Sequence, residues 1–378
     1  MKNLYFALVV LALAGCELFE KEVKPFEKCP LTLTQRGAYS NANNQEVGVV
    51  FEAFDCNNEP FTITNADITG YETVGGEQKP LRSETKAALY SIKGTFAASA
   101  ILVLDTSGSI TQDATVFNQL KSAAKAFAQK VLASESQYVS IIVFDGRQYA
   151  FLVTTATGRN VFKNYSEVAT VIDGLVCGAN INPQGDKLCA DSSTNLYNAI
   201  IAGAQVSQSL KSYFIQQAVI PSNGIYRGNV ILFTDGTDEA NYVTLEQAKN
   251  VISQTSSETN YYTIGLASSD INSSVLKQLG PDGYFAAESG SMLAAEFDKV
   301  AVKLNKLANN IKKFAYCTAT RNGTVTFELI HNSSNEKISY MFNANNKGTG
   351  CPLGTTPANG RISEKVLPDS FNLPITQL

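Results

Sequence analysis

Three short polar segments of this sequence carry side chains that could bind a cation. They are Asp105-Thr-Ser107-Gly-Ser109, Ser192-Ser-Thr194 and Thr234-Asp235-Gly236. Their candidate donors are carboxylate and hydroxyl oxygens, which suit hard divalent ions such as magnesium, manganese or calcium. Neutral hydroxyls coordinate a cation without cancelling its charge, so the ion could still accept a carboxylate from outside. The residue types therefore predict a divalent-cation site, provided that the fold brings the three segments together.

The charges of the two aspartates in these segments also favour a bound cation. If Asp105 and Asp235 shared one edge of a sheet, their carboxylates would repel by about 4 kcal/mol at 4 Å and an effective dielectric constant of 20. A bound cation would convert that repulsion into attraction. Each segment also has a purely structural interpretation, because Asp105 and Ser109 can cap a following helix and Asp235-Gly236 can form a simple turn.

The elements around these segments predict how they are positioned. Four compact apolar runs are typical of strands buried on both faces of a parallel sheet: residues 100–104, 139–144, 230–233 and 261–264. Four stretches between or after them have helical periodicity: residues 117–132, 196–206, 245–252 and 293–307. This alternation predicts an α/β domain with a doubly wound, mostly parallel sheet over residues 97–310. Ligands of such sheets bind at the carboxyl ends of the strands, where Asp105 and Asp235 fall.

Together, the three segments resemble the metal-ion-dependent adhesion site of the von Willebrand factor type A domain, a Rossmann-like fold. The order Asp-x-Ser-x-Ser, loop threonine, Thr-Asp-Gly matches, and the resemblance spans about 210 residues. It implies that Ser107, Ser109 and Thr194 contact the metal directly. Asp105 and Asp235 would be metal-site carboxylates, either direct or acting through water. The resemblance also implies that ligand binding can couple to movement of the last helix, here residues 293–307.

This chain departs from the family pattern at several positions near the site. Ser192 and Ser193 precede the threonine where the family usually has glycine, which affects the backbone path of that loop. Asp145 follows the 139–144 strand where the family more often has a serine-type residue, and we interpret it as structural. Asp238 and Glu239 are interpreted as a solvated helix entry.

The composition excludes several kinds of chemistry. The single histidine, His331, rules out zinc sites built on two or three imidazoles, and its β-prone surroundings favour a strand-end position over a catalytic base. The formal net charge of −4 argues against a nucleic-acid partner. No general base accompanies the candidate site apart from the carboxylates expected to hold the metal, so we predict no catalytic residues and no enzyme activity.

The N-terminus predicts export. Lys2 and a short apolar run over residues 4–15 form a signal peptide that is too short to span a bilayer. Leu13-Ala-Gly-Cys16 resembles the lipobox of bacterial lipoproteins, which implies cleavage after residue 15, lipidation of Cys16 and attachment to a membrane through that lipid. An ordinary signal peptide with a chance cysteine is the alternative. Glu17 is not the aspartate usually linked to inner-membrane retention, so we favour the outer membrane, with either a periplasmic or a surface-facing position.

Six cysteines remain after Cys16, and an even number in an exported chain favours disulfides. Fifteen pairings are possible, and we predict the local one: Cys29–Cys56, Cys177–Cys189 and Cys317–Cys351. The 177–189 loop lies just before Thr194, where it could either rim the candidate site or act as a staple.

The remaining segments divide around the α/β domain. Residues 16–28 are charged and predict a tether, while residues 29–96 and 311–378 predict two β-rich segments, the second ending in an extended tail. Whether these two segments form one β-sandwich or two modules stays open at this stage.

The function that follows is a non-enzymatic envelope lipoprotein that binds a partner through its divalent cation. The partner is a protein, or another carboxylate-bearing ligand, and an Asp or Glu of a protein partner would complete the coordination. The alternative is a structural factor of envelope assembly in which the metal only stabilises the fold. A metal-assisted hydrolase is a remote third interpretation.

Overall fold

The computed structural model describes residues 31–57, 59–90, 96–134, 136–217, 219–220, 224–269 and 271–353, together with the backbone of 370–371. The expected signal peptide, Cys16, the tether, Cys29 and most of the C-terminal tail lie outside the described residues. Within the described ranges, no helix has both the length and the apolar character needed to cross a bilayer.

The described residues form strands and helices in the following order along the chain. The strands are β1 (Thr32–Ser40), β2 (Glu46–Phe54), β3 (Ile68–Val74), β4 (Glu77–Pro80), β5 (Ala88–Tyr90), β6 (Phe96–Asp105), β7 (Gln137–Phe144), β8 (Phe151–Leu152), β9 (Val161–Phe162), β10 (Ile225–Thr234), β11 (Thr259–Leu266), β12 (Gly283–Ala287), β13 (Lys312–Cys317), β14 (Thr324–His331), β15 (Lys337–Asn343) and β16 (Ser370–Phe371). The α-helices are α1 (Gly108–Thr111), α2 (Ala114–Leu132), α3 (Tyr165–Asp173), α4 (Leu196–Gln216), α5 (Leu245–Thr255), α6 (Ser273–Leu279) and α7 (Leu293–Asn310).

The central sheet has the order β12-β11-β10-β6-β7-β9-β16, and β8 also pairs with β7. Strands β12, β11, β10, β6 and β7 are parallel to one another, whereas β8 and β9 run antiparallel to β7. The predicted α/β fold with a mostly parallel sheet is therefore confirmed, and the four predicted strands correspond to β6, β7, β10 and β11.

Helices cover both faces of this sheet because successive strand residues point to opposite sides. In β6, Leu102 and Leu104 belong to the apolar cluster under α2, α3 and α7, whereas Ile101 and Val103 belong to the cluster under α4, α5 and α6. The four predicted helices are present as α2, α4, α5 and α7, and α4 continues ten residues beyond the predicted stretch to Gln216. The carboxyl ends of the strands and the amino ends of the helices thus meet at one edge of the sheet.

The two β-rich segments combine in one β-sandwich. One sheet has the order β1-β2-β13-β5 and the other β15-β14-β3-β4, so each sheet takes strands from both sides of the α/β domain. Apolar residues of both sheets, such as Val49 and Phe327, share one core. The question that the sequence left open is answered by these pairings, which join segments more than 200 residues apart.

The sandwich and the α/β domain contact each other where α7 runs into β13. Asn310 is the last residue of α7, and its side-chain amide donates to the carbonyl of Ala53 in β2 at 2.6 Å. Val50 of β2 packs against Phe96 and Ile311 at the same junction.

Disulfides join Cys177 to Cys189 and Cys317 to Cys351, as the local pairing predicted. Cys56 is also in a disulfide, and its expected partner Cys29 lies outside the described residues. Within the 177–189 loop, Ile181 and Leu188 are buried in the core cluster under α2. The loop therefore does act as a staple on the domain.

Candidate metal-ion site

Asp105 lies at the carboxyl end of β6 and is completely buried. One carboxylate oxygen accepts the Ser107 N–H at 2.9 Å, and the other accepts the Thr234 hydroxyl at 2.6 Å. Burial raises the pKa of Asp105 to about 7, with a further rise from the neighbouring charge of Asp235, against the opposing effect of these hydrogen bonds. Asp105 is thus a carboxyl group whose charged form this environment disfavours.

Ser107, Ser109 and Asp235 link the first and third polar segments. The hydroxyl oxygens of Ser107 and Ser109 are 3.2 Å apart, because α1 begins directly after Ser107 and its first turn brings them together. The Ser109 hydroxyl donates to a carboxylate oxygen of Asp235 at 2.8 Å. Asp235 follows β10, the strand beside β6, and is 8% exposed. The parallel pairing of β6 with β10 is what brings these residues into contact.

Thr194 comes from the loop that enters α4 and is 4% exposed. Its carbonyl accepts the N–H groups of Glu239 and Ala240 at 2.9 and 3.1 Å, which ties the loop to the segment after Asp235. Two residues earlier, the Ser192 carbonyl accepts the Gly108 N–H at 2.9 Å, which ties the loop to α1. The threonine loop is therefore hydrogen-bonded to both of the other segments.

Asp145 lies at the same sheet edge, beside the candidate ligands, but its side chain is paired with an arginine. It is fully buried and forms a bidentate ion pair with Arg147, at 2.8 Å from Nε to Oδ1 and 2.8 Å from Nη2 to Oδ2. These contacts agree with the structural interpretation of Asp145.

Ser193, one of the two serines before Thr194, is accommodated by a glycine elsewhere. A side-chain carbon on Gly146 would come within 2.5 Å of Asp191 and 2.6 Å of Ser193. Gly146 follows Asp145 at the end of β7, so the space for this bulkier loop comes from the neighbouring strand end.

Asp238 differs from its sequence interpretation. It does not form a solvated helix entry, because its Oδ1 accepts the Tyr197 N–H of α4 at 3.1 Å and its Oδ2 accepts the Asn241 N–H at 3.1 Å. Glu239 is exposed. Asp238 thus caps α4, a helix that begins 42 residues earlier along the chain, and sequence reasoning cannot see such a cap.

Sequence reasoning also missed two residues that shape the site. The Thr234 hydroxyl donates to the Asp105 carboxylate, and the position of Thr234 in the Thr-Asp-Gly motif could have indicated a role at the site. Arg147 pairs with Asp145, which adjacency in the sequence could have indicated. His331 ends β14 in the sandwich and its Nδ1 lies 2.9 Å from the Ser334 hydroxyl, in agreement with the strand-end interpretation.

The donor set fits a hard divalent cation by its chemistry. It combines two carboxylates with three hydroxyls, and a cation would favour the charged form of Asp105, which burial disfavours and the protein's own hydrogen bonds only partly stabilise. In the described part of the chain, no group of three or more His, Cys, Asp or Glu side chains is arranged to hold a metal. A cation at this place would therefore depend on the hydroxyls of Ser107, Ser109 and Thr194 as well as on the two aspartates.

Comparison with known proteins identifies the domain that carries these residues. Residues 100–237 match the family model of the von Willebrand factor type A domain. The chain contains a von Willebrand factor type A domain. Domains of this type are generally adhesion or interaction modules rather than enzymes. No curated protein matches the sequence.

Several solved structures are similar to the chain at low identity. A von Willebrand factor type A structure from Catenulispora acidiphila is 12% identical, with 84% of this chain and 73% of that chain covered and a TM-score of 0.44. The vWF domain of the type V pili tip protein Mfa5 from Porphyromonas gingivalis is 13% identical, with 56% and 96% covered and a TM-score of 0.40. Proximal thread matrix protein 1 from the mussel byssus is 17% identical, with 56% of this chain covered and a TM-score of 0.40, and the chain spans 48% of that protein.

Proposed function

We propose that the protein is a cell-envelope lipoprotein whose von Willebrand factor type A domain binds a protein partner through a divalent cation. Asp105, Ser107, Ser109, Thr194 and Asp235 would hold the cation, with Mg²⁺ first and Mn²⁺ or Ca²⁺ as alternatives. The observation that carries the proposal is the convergence of the Asp105, Ser107, Ser109 and Asp235 side chains at one sheet edge, with the Thr194 loop hydrogen-bonded to both segments that carry them.

The chain's own residues prepare this edge for binding. Thr234 and the Ser107 N–H hold the Asp105 carboxylate in one orientation, and Ser109 holds Asp235. A bound cation would supply positive charge and a coordination position for an incoming carboxylate. The hydroxyls contribute no charge, so with one of the two aspartates acting through water the ion would keep positive charge and a coordination position for an Asp or Glu of the partner.

Exposed aromatic residues beside the site support a protein as the partner. Tyr149 is 42% exposed in the loop after β7, and Tyr242 is 54% exposed in the loop after β10. The Tyr149 loop is tied to α4 by the Asn198 side chain, which donates to the Gln148 carbonyl at 2.7 Å. Tyrosine is enriched at protein interfaces because it supplies a large contact area with few rotatable bonds.

The envelope location rests on the sequence and on the disulfides. Cys177–Cys189 and Cys317–Cys351 favour an oxidising compartment, which agrees with export. The lipobox-like residues Leu13 to Cys16 support attachment through a lipid on Cys16, with the outer membrane favoured. If Cys16 is lipidated, mass spectrometry of the N-terminal peptide from the cell-expressed protein would show an acylated cysteine.

The decisive experiment is capture of partners from envelope extract in Mg²⁺ or in EDTA. We expect a band that the wild type captures in Mg²⁺ and that both EDTA and Asp105→Ala abolish. Asp173→Ala is the matched control, because Asp173 is an exposed aspartate of the same domain that pairs with Lys125.

Capture that persists in EDTA and in Asp105→Ala would contradict the cation mechanism. If Mg²⁺ then still raised the melting temperature of the wild type, the alternative of an assembly factor with a purely stabilising metal would replace it. Metal-dependent turnover on a panel of peptides, esters or glycans would revive the hydrolase.

A further inference from the structure

We infer that Asp145 is a positioning residue for the candidate metal site, because it holds the loop that presents Thr194. The inference rests on the proposed function for its effect on cation binding, and on the structure alone for its effect on the loop. Among the described residues, Asp145 forms no hydrogen bond with the side chain of a proposed cation ligand, so it would act through the backbone that carries them.

The contacts of Asp145 bracket Thr194 on both sides. Its Oδ2 accepts the N–H groups of Ala190 and Asp191 at 3.2 and 3.4 Å, ahead of the threonine. Its backbone carbonyl accepts the Asn195 N–H at 3.1 Å, directly after the threonine. One fully buried residue at the end of β7 therefore determines where the loop arrives and where α4 begins.

Arg147 and Asn195 complete this arrangement. Arg147 neutralises Asp145 through the bidentate pair and lies over the Phe151 ring at 4.1 Å, so the buried carboxylate does not remain an isolated charge. The Asn195 side chain donates to the carbonyls of Arg147 and Gln148 at 2.8 and 3.1 Å. We call Asp145, Arg147 and Asn195 the loop clamp.

The loop clamp explains why this chain can dispense with glycine before Thr194. Serine restricts the backbone more than glycine does, so the path of Ser192 and Ser193 must be set by contacts. The N–H of Ser193 donates to the Asp191 side chain at 2.9 Å, and Gly146 leaves room for both residues. Groups that orient metal ligands from outside the coordination sphere commonly change metal affinity by about 10–100-fold when they are mutated.

The test compares Asp145→Asn with the wild type by two measurements on the full chain. Titration calorimetry with Mn²⁺ gives the cation affinity, and amide hydrogen exchange gives the protection of residues 190–195. We expect Asp145→Asn to weaken Mn²⁺ binding about 10–100-fold and to accelerate exchange at Ala190, Asp191 and Asn195. Asp186→Asn is the matched control, because Asp186 lies in the disulfide loop and accepts from Asn182 instead.

A second variant keeps the test informative if Asp145→Asn does not fold. Arg147→Lys retains the charge but loses the bidentate geometry, so we expect a smaller loss of Mn²⁺ affinity with the same pattern of exchange. Unchanged exchange at residues 190–195 in the folded variant would overturn the clamp. If the wild type itself binds no Mn²⁺, the proposed function fails, while faster exchange at these residues in the variant would still support the clamp.

Discussion

The carboxyl edge of the α/β domain and the core of the β-sandwich are built on opposite principles. At the edge, polar side chains are buried: Asp105, Ser107, Asp145 and Thr234 have 0% exposure. In the sandwich, the buried side chains are mainly apolar, with Phe327 stacked on Phe314 at 5.7 Å and packed against Tyr316 at 4.9 Å. Apolar burial stabilises a fold directly, whereas a buried carboxylate costs free energy unless something compensates its charge.

From this difference we expect stability and the proposed cation binding to depend on separate parts of the molecule. The sandwich core should govern folding and leave cation binding alone. The sheet edge should govern cation binding and contribute little stability of its own until a cation arrives. Variants in each region, measured for both stability and cation affinity, would separate these two roles or show that they are linked.

The largest expected effect is the loss of a sandwich core residue. Phe327→Ala should lower the free energy of unfolding by about 3–5 kcal/mol, because it removes a buried aromatic ring and leaves a cavity. The Mn²⁺ affinity of the folded variant should match that of the wild type. Met341→Ala, at a position 66% exposed on the same sandwich, is the control and should change stability by less than about 0.5 kcal/mol. A changed Mn²⁺ affinity in Phe327→Ala would show that the two regions are coupled.

The Cys317–Cys351 and Cys177–Cys189 disulfides should separate the regions in the same way. Removing Cys317–Cys351, whose cysteines are 34 residues apart, should cost about 4 kcal/mol in the chain-entropy model and leave Mn²⁺ affinity unchanged. Removing Cys177–Cys189, 12 residues apart, should cost about 3 kcal/mol and also weaken Mn²⁺ binding, because Cys189 leads directly into the Thr194 loop. Double Cys→Ser variants, studied by denaturant unfolding and calorimetry, would test this. Equal Mn²⁺ affinities in both variants would mean that the Thr194 loop keeps its position without the Cys177–Cys189 disulfide.

Cation-linked stability should be confined to the sheet edge. At a Mg²⁺ concentration of 100 times its dissociation constant, the wild type should gain about 2.7 kcal/mol of unfolding free energy over EDTA, and Asp105→Asn should gain none. Asp282→Asn is the control, because Asp282 is also a partly buried carboxylate, with one oxygen accepting the Tyr261 N–H at 2.7 Å, and it lies away from the site. A full Mg²⁺ response in Asp105→Asn would place the cation elsewhere.

The remaining expected effect is a pH dependence of stability in EDTA. The pKa of Asp105 is raised to about 7 by burial, above its usual value of 3.8, so between these values the native state holds a proton that the unfolded chain has released. The stability contribution of Asp105 is therefore complete below about pH 4 and is lost as the pH rises to about 7. Denaturant unfolding of the wild type and of Asp105→Asn at pH 4, 5.5 and 7 would measure the difference. Curves that stay parallel over this range would contradict it.

Local sequence patterns were sufficient to predict the main strands and helices of the α/β domain. The apolar run at 100–104 became β6, and the spacing of Leu120, Ala124 and Phe127 became the buried face of α2. Such patterns work because one strand or helix must bury one recognisable set of side chains. The polar motif was visible for a similar reason, since Asp105 and Asp235 each follow directly on a buried strand.

Contacts between distant segments were not predictable in this way. Asp238 was interpreted as solvated although it caps α4, and nothing near Gly146 in the sequence reveals that it makes room for Ser193. The sandwich was left undecided because strand pairing depends on partners, and β2 finds its neighbour β13 more than 250 residues away.

The sequence by itself predicted which atoms could bind a cation and determined which strands and helices carry them, because donor chemistry and periodic burial are properties of single segments. Only the tertiary structure decided that Ser109 meets Asp235, that Asp145 holds both sides of Thr194 and that the two flanking segments share one core. These outcomes depend on parallel strand order and on close packing, which involve residues far apart in the chain.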